Sequence, residues 1–364
     1  MNKRTKSDIP FVGLHAHSVA GSLFDALGYP PDHMDFAYEN GCDALALTDH
    51  GNANGLSHQV LHAKKMREQG KTFKPIFGCE AYFIPSISEW RDEYEKALED
   101  KKRAKSLGSE LSGATVEDEN SSKKVQDVLR RRRHLILLAQ NQTGLQNIFK
   151  LISESYKSEN FYRYPRMDYA LLAKYSEGVI AASACLGGVY AGNFWENREE
   201  GDEAVLNAMR ETTRKMVSIF GDRWYGELQW NNVPEQHKLN QFIIKMHEEF
   251  GIGLISTADS HYPNPDAWKD RELYKRLGWL GKAAPSYEST ELPIDVDEIG
   301  YELYPKNGDQ MWESYKKYSA ECGVEYDDDL VLQSIKHTHE IAHQRIEDFL
   351  PDNTVRLPDF VVPA

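Results

Sequence analysis

Val12-Gly-Leu-His-Ala-His17 runs from apolar residues into two histidines, and Ala44-Leu-Ala-Leu-Thr-Asp-His-Gly51 ends in the same way with Asp49 and His50. Side chains at i and i+2 of a strand share a face, so His15 and His17 can reach one cation where the strand opens into a cleft. A lone HxH pair is more often two surface histidines on an edge strand. What separates the two cases is whether the rest of the chain ends its strands in the same kind of residue.

Outward from these blocks, β-rich runs at 12–14, 44–48, 75–83, 134–139, 178–183, 224–229 and 253–257 alternate with amphipathic segments, among them 32–40, 56–69, 144–155, 202–220 and 234–250. Pro30 and Pro31 open the first of these helices, and Gly41, Gly70 and Gly251 stand where C-terminal caps belong. Seven strands separated by helices predict an α/β fold of parallel βα units, and a closed barrel buries them most economically.

Polar residues gather at the ends of these strands. His15, His17, Asp25, His50, Glu80, Cys185, Asp259 and His261 lie at or beyond carboxyl ends, the rim where βα barrels place their chemistry. His134 differs, standing at the front of its apolar run. Five histidines, three carboxylates and a thiol exceed the roughly three protein ligands of a single catalytic zinc. Two or three divalent ions a few ångströms apart, bridged by a carboxylate, would occupy them all. His58 and His62 are spaced i, i+4 on a Lys-rich helix and read as surface residues.

Residues 86–133 interrupt the alternation. They hold almost no β signal, loosen into Ser/Gly/Asn-rich sequence at 107–122 and finish in Arg130-Arg-Arg-Arg133, which predicts a charged helical insertion with a mobile middle.

The 364 residues, 40% of them hydrophobic, are enough for a sizeable core. No apolar run approaches the roughly 18 residues of a membrane span, and no apolar segment follows the basic start, so a soluble cytoplasmic protein without membrane contact is expected. Cys42, Cys79, Cys185 and Cys322 stand far apart with no CxxC pair, so neither a disulfide framework nor a zinc ribbon is indicated. A net charge of -14 argues against broad non-specific affinity for nucleic acid but not against local basic patches.

The blocks quoted above resemble the PHP family, the polymerase and histidinol phosphatase domain. With Ile76-Phe-Gly-Cys-Glu-Ala-Tyr82, His134-Leu-Ile-Leu-Leu-Ala139, Tyr225-Gly-Glu-Leu-Gln229, Ala258-Asp-Ser-His-Tyr262, Phe161-Tyr-Arg-Tyr-Pro-Arg-Met-Asp168 and Leu357-Pro-Asp-Phe360 they are similar to the N-terminal part of bacterial DNA polymerase III alpha subunits. The resemblance implies a distorted (β/α)7 barrel over 1–285, with the insertion at 86–133. Residues 286–364 would then be a mainly helical connection towards a polymerase palm that lies beyond this chain. All nine family ligand positions carry residues able to bind metal: His15, His17, Asp25, His50, Glu80, His134, Cys185, Asp259 and His261. A thiolate among imidazoles favours zinc, manganese or iron, with magnesium a further candidate.

The implied chemistry is phosphodiester hydrolysis, in which divalent ions acidify water and neutralise charge on the phosphate. Its form would be a 3′–5′ exonuclease that proofreads. The implied partners are a single-stranded 3′ end of DNA, the rest of the polymerase, and replisome subunits such as the sliding clamp. Rival readings are a metal-stiffened scaffold without turnover and a free-standing phosphatase, though the blocks around Arg166, Glu227 and Leu357 have no reason to occur in the latter. Arg163, Arg166 and Arg133 are the expected phosphate contacts, since a guanidinium can donate two hydrogen bonds at once.

His339-Glu-Ile-Ala-His343 matches the HExxH pattern of zinc proteases. No histidine follows it, and Glu347 and Asp348 are too near along the same predicted helix, 334–349, to supply a third ligand. A protease is therefore not expected.

Overall fold

The computed structural model describes residues 4–110, 116–279 and 301–351. Residues 12–17 run extended, and α1 (Pro30–Glu39) follows, its start fixed by two prolines. Then come β1 (Ala44–Leu47), α2 (Leu56–Glu68) and β2 (Lys74–Phe83), the last buried over most of its ten residues. The insertion is an antiparallel pair, α3 (Ile87–Glu110) and α4 (Val116–Arg130). Trp90 Nε1 donates to Val128 O at 2.8 Å, Glu93 pairs with Arg131 at 2.6 Å, and Ile87, Trp90, Ala97, Val125 and Leu129 form its own small core. Of the mobile middle expected over 107–122, residues 107–110 and 116–122 instead belong to α3 and α4, and 111–115 lie outside the described residues.

The chain re-enters the sheet through β3 (Arg133–Ala139) and continues into α5 (Gln142–Ser155), capped by the Asn141 side chain. A hairpin of β4 (Phe161–Tyr162) and β5 (Tyr164–Met167) leads into α6 (Tyr169–Lys174), then β6 (Val179–Ala182), α7 (Val189–Asn197) and α8 (Asp202–Phe220). β7 (Trp224–Gln229), α9 (Pro234–Phe250) and β8 (Gly253–Thr257) complete the sheet. Helices α10 (Trp268–Trp279), α11 (Gly308–Glu321) and α12 (Asp328–Glu340) follow.

The strand order is β4-β5-β2-β3-β6-β7-β8, with β1 along the first half of β2. Residues 12–17 close the ring. Gly13 bridges to Leu45 on one side and Ala16 to Ser260 on the other, with Ala46 N donating to Gly13 O at 2.8 Å and His17 N to Ser260 O at 2.7 Å. The distorted barrel is thus present, but its strands are not all parallel. β3 runs antiparallel to both β2 and β6, and β4 antiparallel to β5. The reversal of β3 accounts for His134: the front of that strand lies at the rim where its neighbours finish, Tyr82 opposite His134.

Alternate strand residues Val12, Leu14, Ala44, Ala46, Ile76, Ile136, Leu138, Ile180, Ala182, Tyr225 and Ile255 fill the interior, as strand periodicity requires. The floor is closed from the C-terminal side. Residues 334–349, expected as one helix, are instead the end of α12 followed by a π-helical turn, Ile341–Arg345, and Ile341, Ala342 and Ile346 enter the same interior. Lys74 Nζ, buried among them, donates to Ala342 O and Ile346 O, each at 2.5 Å, satisfying carbonyls that the end of a helix leaves free. The boundary expected near 285 lies outside the described residues, as does Leu357-Pro-Asp-Phe360. The described stretch 301–351 shares the barrel's core, since Met311, Tyr315, Val331 and Ile335 pack into it. No helix among the described residues is long and apolar enough to cross a membrane.

Candidate metal centre

The rim collects side chains from seven places in the chain around Glu80, near the end of β2. Glu80 Oε2 lies 2.9 Å from His50 Nδ1, 3.1 Å from His17 Nε2 and 3.6 Å from His15 Nε2, and Oε1 lies 2.9 Å from His134 Nδ1. Asp259 Oδ1 sits 3.0 Å from His15 Nε2, 3.2 Å from His17 Nε2 and 3.3 Å from His261 Nδ1. Asp25 Oδ2 joins His50 Nε2 at 3.0 Å to His261 Nε2 at 3.3 Å. Cys185 Sγ closes the group 3.6 Å from His134 Nδ1. All nine residues expected as ligands are thus brought together.

Local backbone makes this convergence. Ala184, just before Cys185, has φ +60°, and Asp259 has φ +48°, left-handed values that turn the chain sharply where two strands end. At the second turn His261 Nδ1 donates to Asp259 O at 2.7 Å, which leaves Nε2 towards Asp25.

A second ring of residues orients the first. His15 Nδ1 donates to Glu227 Oε1 at 2.6 Å, and that oxygen also accepts from Thr257 Oγ1 at 2.5 Å. Asp49 accepts from Ser18 N at 2.7 Å and from Ser22 Oγ at 3.0 Å, fixing the loop after His17. Arg271 holds Asp25 from behind, through Oδ1 and the backbone carbonyl, each at 2.7 Å. None of Glu227, Asp49 and Arg271 stands out in the sequence as part of the site. A glutamate in the middle of the apolar run 224–229 was the available signal for the first.

The electrostatics are those of buried carboxylates seeking positive charge. Burial alone would raise the pKa of Glu80, yet His134, His50 and His15 hold it well below the usual range. Burial works against charge on His15 too, but Asp259, Glu227 and Glu80 raise its pKa well above the ordinary imidazole value. Burial, followed by Asp259, pushes the Cys185 thiol well up. Both Glu80 oxygens and Asp259 Oδ1 are buried without a hydrogen-bond partner, a costly condition unless something else satisfies them. The triads His15/His17/Glu80, His17/His50/His261 and His50/Glu80/His134 each place three donor atoms within 4.8 Å of one another. This donor set of imidazole, carboxylate and thiol suits divalent transition ions.

The arginines behave differently from expectation. Arg166 is fully buried. Its guanidinium donates to Arg131 O at 3.2 Å, Tyr162 O at 2.9 Å, Tyr164 O at 3.1 Å and Leu129 O, and lies 4.2 Å over the Trp90 ring. Burial lowers its pKa to about 10, and no side of it is open to a phosphate. It ties the insertion to the β4–β5 hairpin. Arg133 is engaged by Glu196, whereas Arg163 is exposed on the hairpin turn.

The model of the PHP domain family matches residues 13–231. Among curated proteins the chain is similar to the DNA polymerase III subunit alpha of Aquifex aeolicus, 36% identical over 356 residues, or 97% of this chain and 26% of that protein. It is also similar to the DNA polymerase III subunit alpha of Borreliella burgdorferi, 30% identical over 97% of this chain and 25% of that protein. The chain therefore spans about a quarter of the length of these curated relatives. A solved amidohydrolase from Chromobacterium violaceum aligns with 72% of this chain and 96% of its own, at 15% identity and a TM-score of 0.35. With more than half of its length matched by the family's model, this chain belongs to the PHP family.

Proposed function

We propose that this chain is the PHP segment of a bacterial replicative DNA polymerase alpha subunit, and that it hydrolyses DNA from a 3′ end as a metal-dependent 3′–5′ exonuclease able to proofread. The observation that carries this is Glu80: a buried carboxylate with four imidazoles within 3.6 Å, neither of its oxygens in a hydrogen bond of good geometry. Similarity to the polymerase subunits runs over 97% of the chain, well past the stretch 13–231. That supports a polymerase segment over a free-standing phosphatase, with 286–364 leading towards a palm.

His15, His17, Asp25, His50, Glu80, His134, Cys185, Asp259 and His261 would hold two or three divalent ions, zinc, manganese or iron, with magnesium as a further candidate. When bound, such ions supply Lewis acidity towards a phosphodiester and its attacking water. The chain's own residues do the rest. Glu227 fixes the His15 tautomer so that Nε2 faces the cluster, and Arg271 takes one Asp25 oxygen so that the other faces His50 and His261. The substrate is a single-stranded 3′ end, and the remaining polymerase with its sliding clamp would bring it there in the cytoplasm.

Purified chain reloaded with manganese or zinc should shorten a 5′-labelled single strand from its 3′ end, and Asp259→Asn should abolish this while leaving the far-ultraviolet circular dichroism unchanged. A second reading, a metal-stabilised scaffold, is favoured by the way the cluster joins residues 12–17 to the end of β8. Metal-loaded chain that leaves every labelled strand intact would decide for the scaffold.

A further inference from the structure

His339 and His343 remain outside the rim cluster, and the structure supplies the third ligand that their local sequence lacks. Asp43, immediately before β1, places Oδ1 3.1 Å from His343 Nε2 and Oδ2 3.8 Å from His339 Nε2. The two imidazoles stand 4.3 Å apart between ring centroids, and one donor atom from each of the three residues lies within 4.8 Å of the others. We propose that Asp43, His339 and His343 form a second metal site, for a divalent transition ion such as zinc, that staples the C-terminal plug to the floor of the barrel.

Each part of the geometry supports this. A single carboxylate divides its two oxygens between two imidazoles, and metal–ligand distances of about 2.0–2.1 Å place the donor atoms of a tetrahedral ion roughly 3.3 Å apart. The contacts at 3.1 and 3.8 Å need only small side-chain shifts to reach that spacing. The π-helical turn, a rare form that recurs at functional sites, begins between the two histidines. Side-chain exposures of 39%, 35% and 33% leave the three residues open to an ion from solution. Asp43 and His343 border a cleft of about 780 Å³, from which water can complete the coordination.

The site is separate from the rim. Asp43 enters β1 where His50 leaves it, and at about 3.3 Å per residue the two lie roughly 20 Å apart. Glu340, which the protease pattern would use as a base, is exposed, and the site is proposed as structural. It ties residues far apart in sequence, so an ion there would restrain the plug that carries Ile341, Ala342 and Ile346.

Full-length chain stripped by a chelator and then dialysed against zinc alone provides the test, read by elemental analysis. The His339→Ala/His343→Ala variant should bind one zinc fewer than the parent, and Asp43→Asn should also lose that ion. In a chain whose rim is disabled by Glu80→Gln and Asp259→Asn, one zinc should remain and raise the melting temperature, and adding His343→Ala should remove both effects. This second arm reads the floor site whether or not the rim hydrolyses DNA. Equal zinc content in the parent and the double-histidine variant, both folded by circular dichroism, would overturn the proposal. So would a rim-disabled chain whose melting temperature ignores zinc.

Discussion

The two ends of the barrel treat buried polar groups in opposite ways. At the floor Lys74, sunk among apolar side chains, has its ammonium met by two carbonyl oxygens, and the isoleucines beside it fill the interior. At the rim Glu80 and Asp259 are as deeply placed, yet three of their oxygens face imidazoles without a hydrogen bond of good geometry. A buried polar group costs free energy unless paired, so a fold that pairs one at one end and leaves several open at the other separates structure from binding. The floor is finished by the chain itself, whereas the rim gathers clusters able to bind a metal ion.

The largest effect should come from substituting one residue at each end. Glu80→Gln is expected to abolish metal loading at the rim and with it hydrolysis, with little change in the urea midpoint of the metal-free chain. Ile341→Ala should do the reverse, costing about 2–5 kcal/mol in urea denaturation while rim metal content stays at the parent's value. If Glu80→Gln destabilised the metal-free chain as much as Ile341→Ala, the contrast between the ends would be lost.

His33, just behind the rim, gives the next largest effect. It is fully buried with Nε2 donating to Leu27 O at 2.9 Å, and burial lowers its pKa to about 4. The unfolded chain takes up this proton near the ordinary value of about 6.5, so the stabilisation is complete above that pH and is lost as pH falls from there to about 4. A shift of this size corresponds to about 3 kcal/mol. Metal-free His33→Gln should therefore show a shallower fall in urea midpoint between pH 6.5 and 4 than the parent, and parallel curves would contradict it.

A smaller loss is expected from Glu227→Gln, which leaves every proposed ligand in place but loosens the His15 ring. Outer partners of this kind typically contribute 10–100-fold in metal affinity, measurable by competition with a chromophoric chelator. The smallest effect belongs to Arg163→Ala. On the exposed hairpin turn it should flatten the salt dependence of single-strand binding by a little under one. Arg166→Ala should instead lower the melting temperature without a specific change in that slope.

Much of this was legible in the sequence because local signals agreed with the tertiary result. β7, α9 and β8 fall at 224–229, 234–250 and 253–257 as expected, bounded by Pro234, Gly251 and Gly253. The nine rim residues were legible because each terminates an apolar run or resembles a family position. Direction was not: nothing in His134-Leu-Ile-Leu-Leu-Ala139 tells whether the strand runs up or down, since periodicity is the same both ways. Arg166 looked like surface charge because its four carbonyl partners belong to segments far apart in sequence or to a hairpin too short to recognise. Asp43 could not be joined to His343 for a similar reason, as 300 residues separate them.

The closing segment 12–17 gives the barrel a seam. Every other junction is a ladder of strand against strand, whereas this one holds by single bridges at Gly13 and Ala16, and it carries His15 and His17. Ions shared between those histidines and Asp259 would rivet the seam from inside, so that loading the rim and locking the cylinder become one event. An empty rim would leave the barrel able to unzip along one line, beginning where Ala16 meets Ser260.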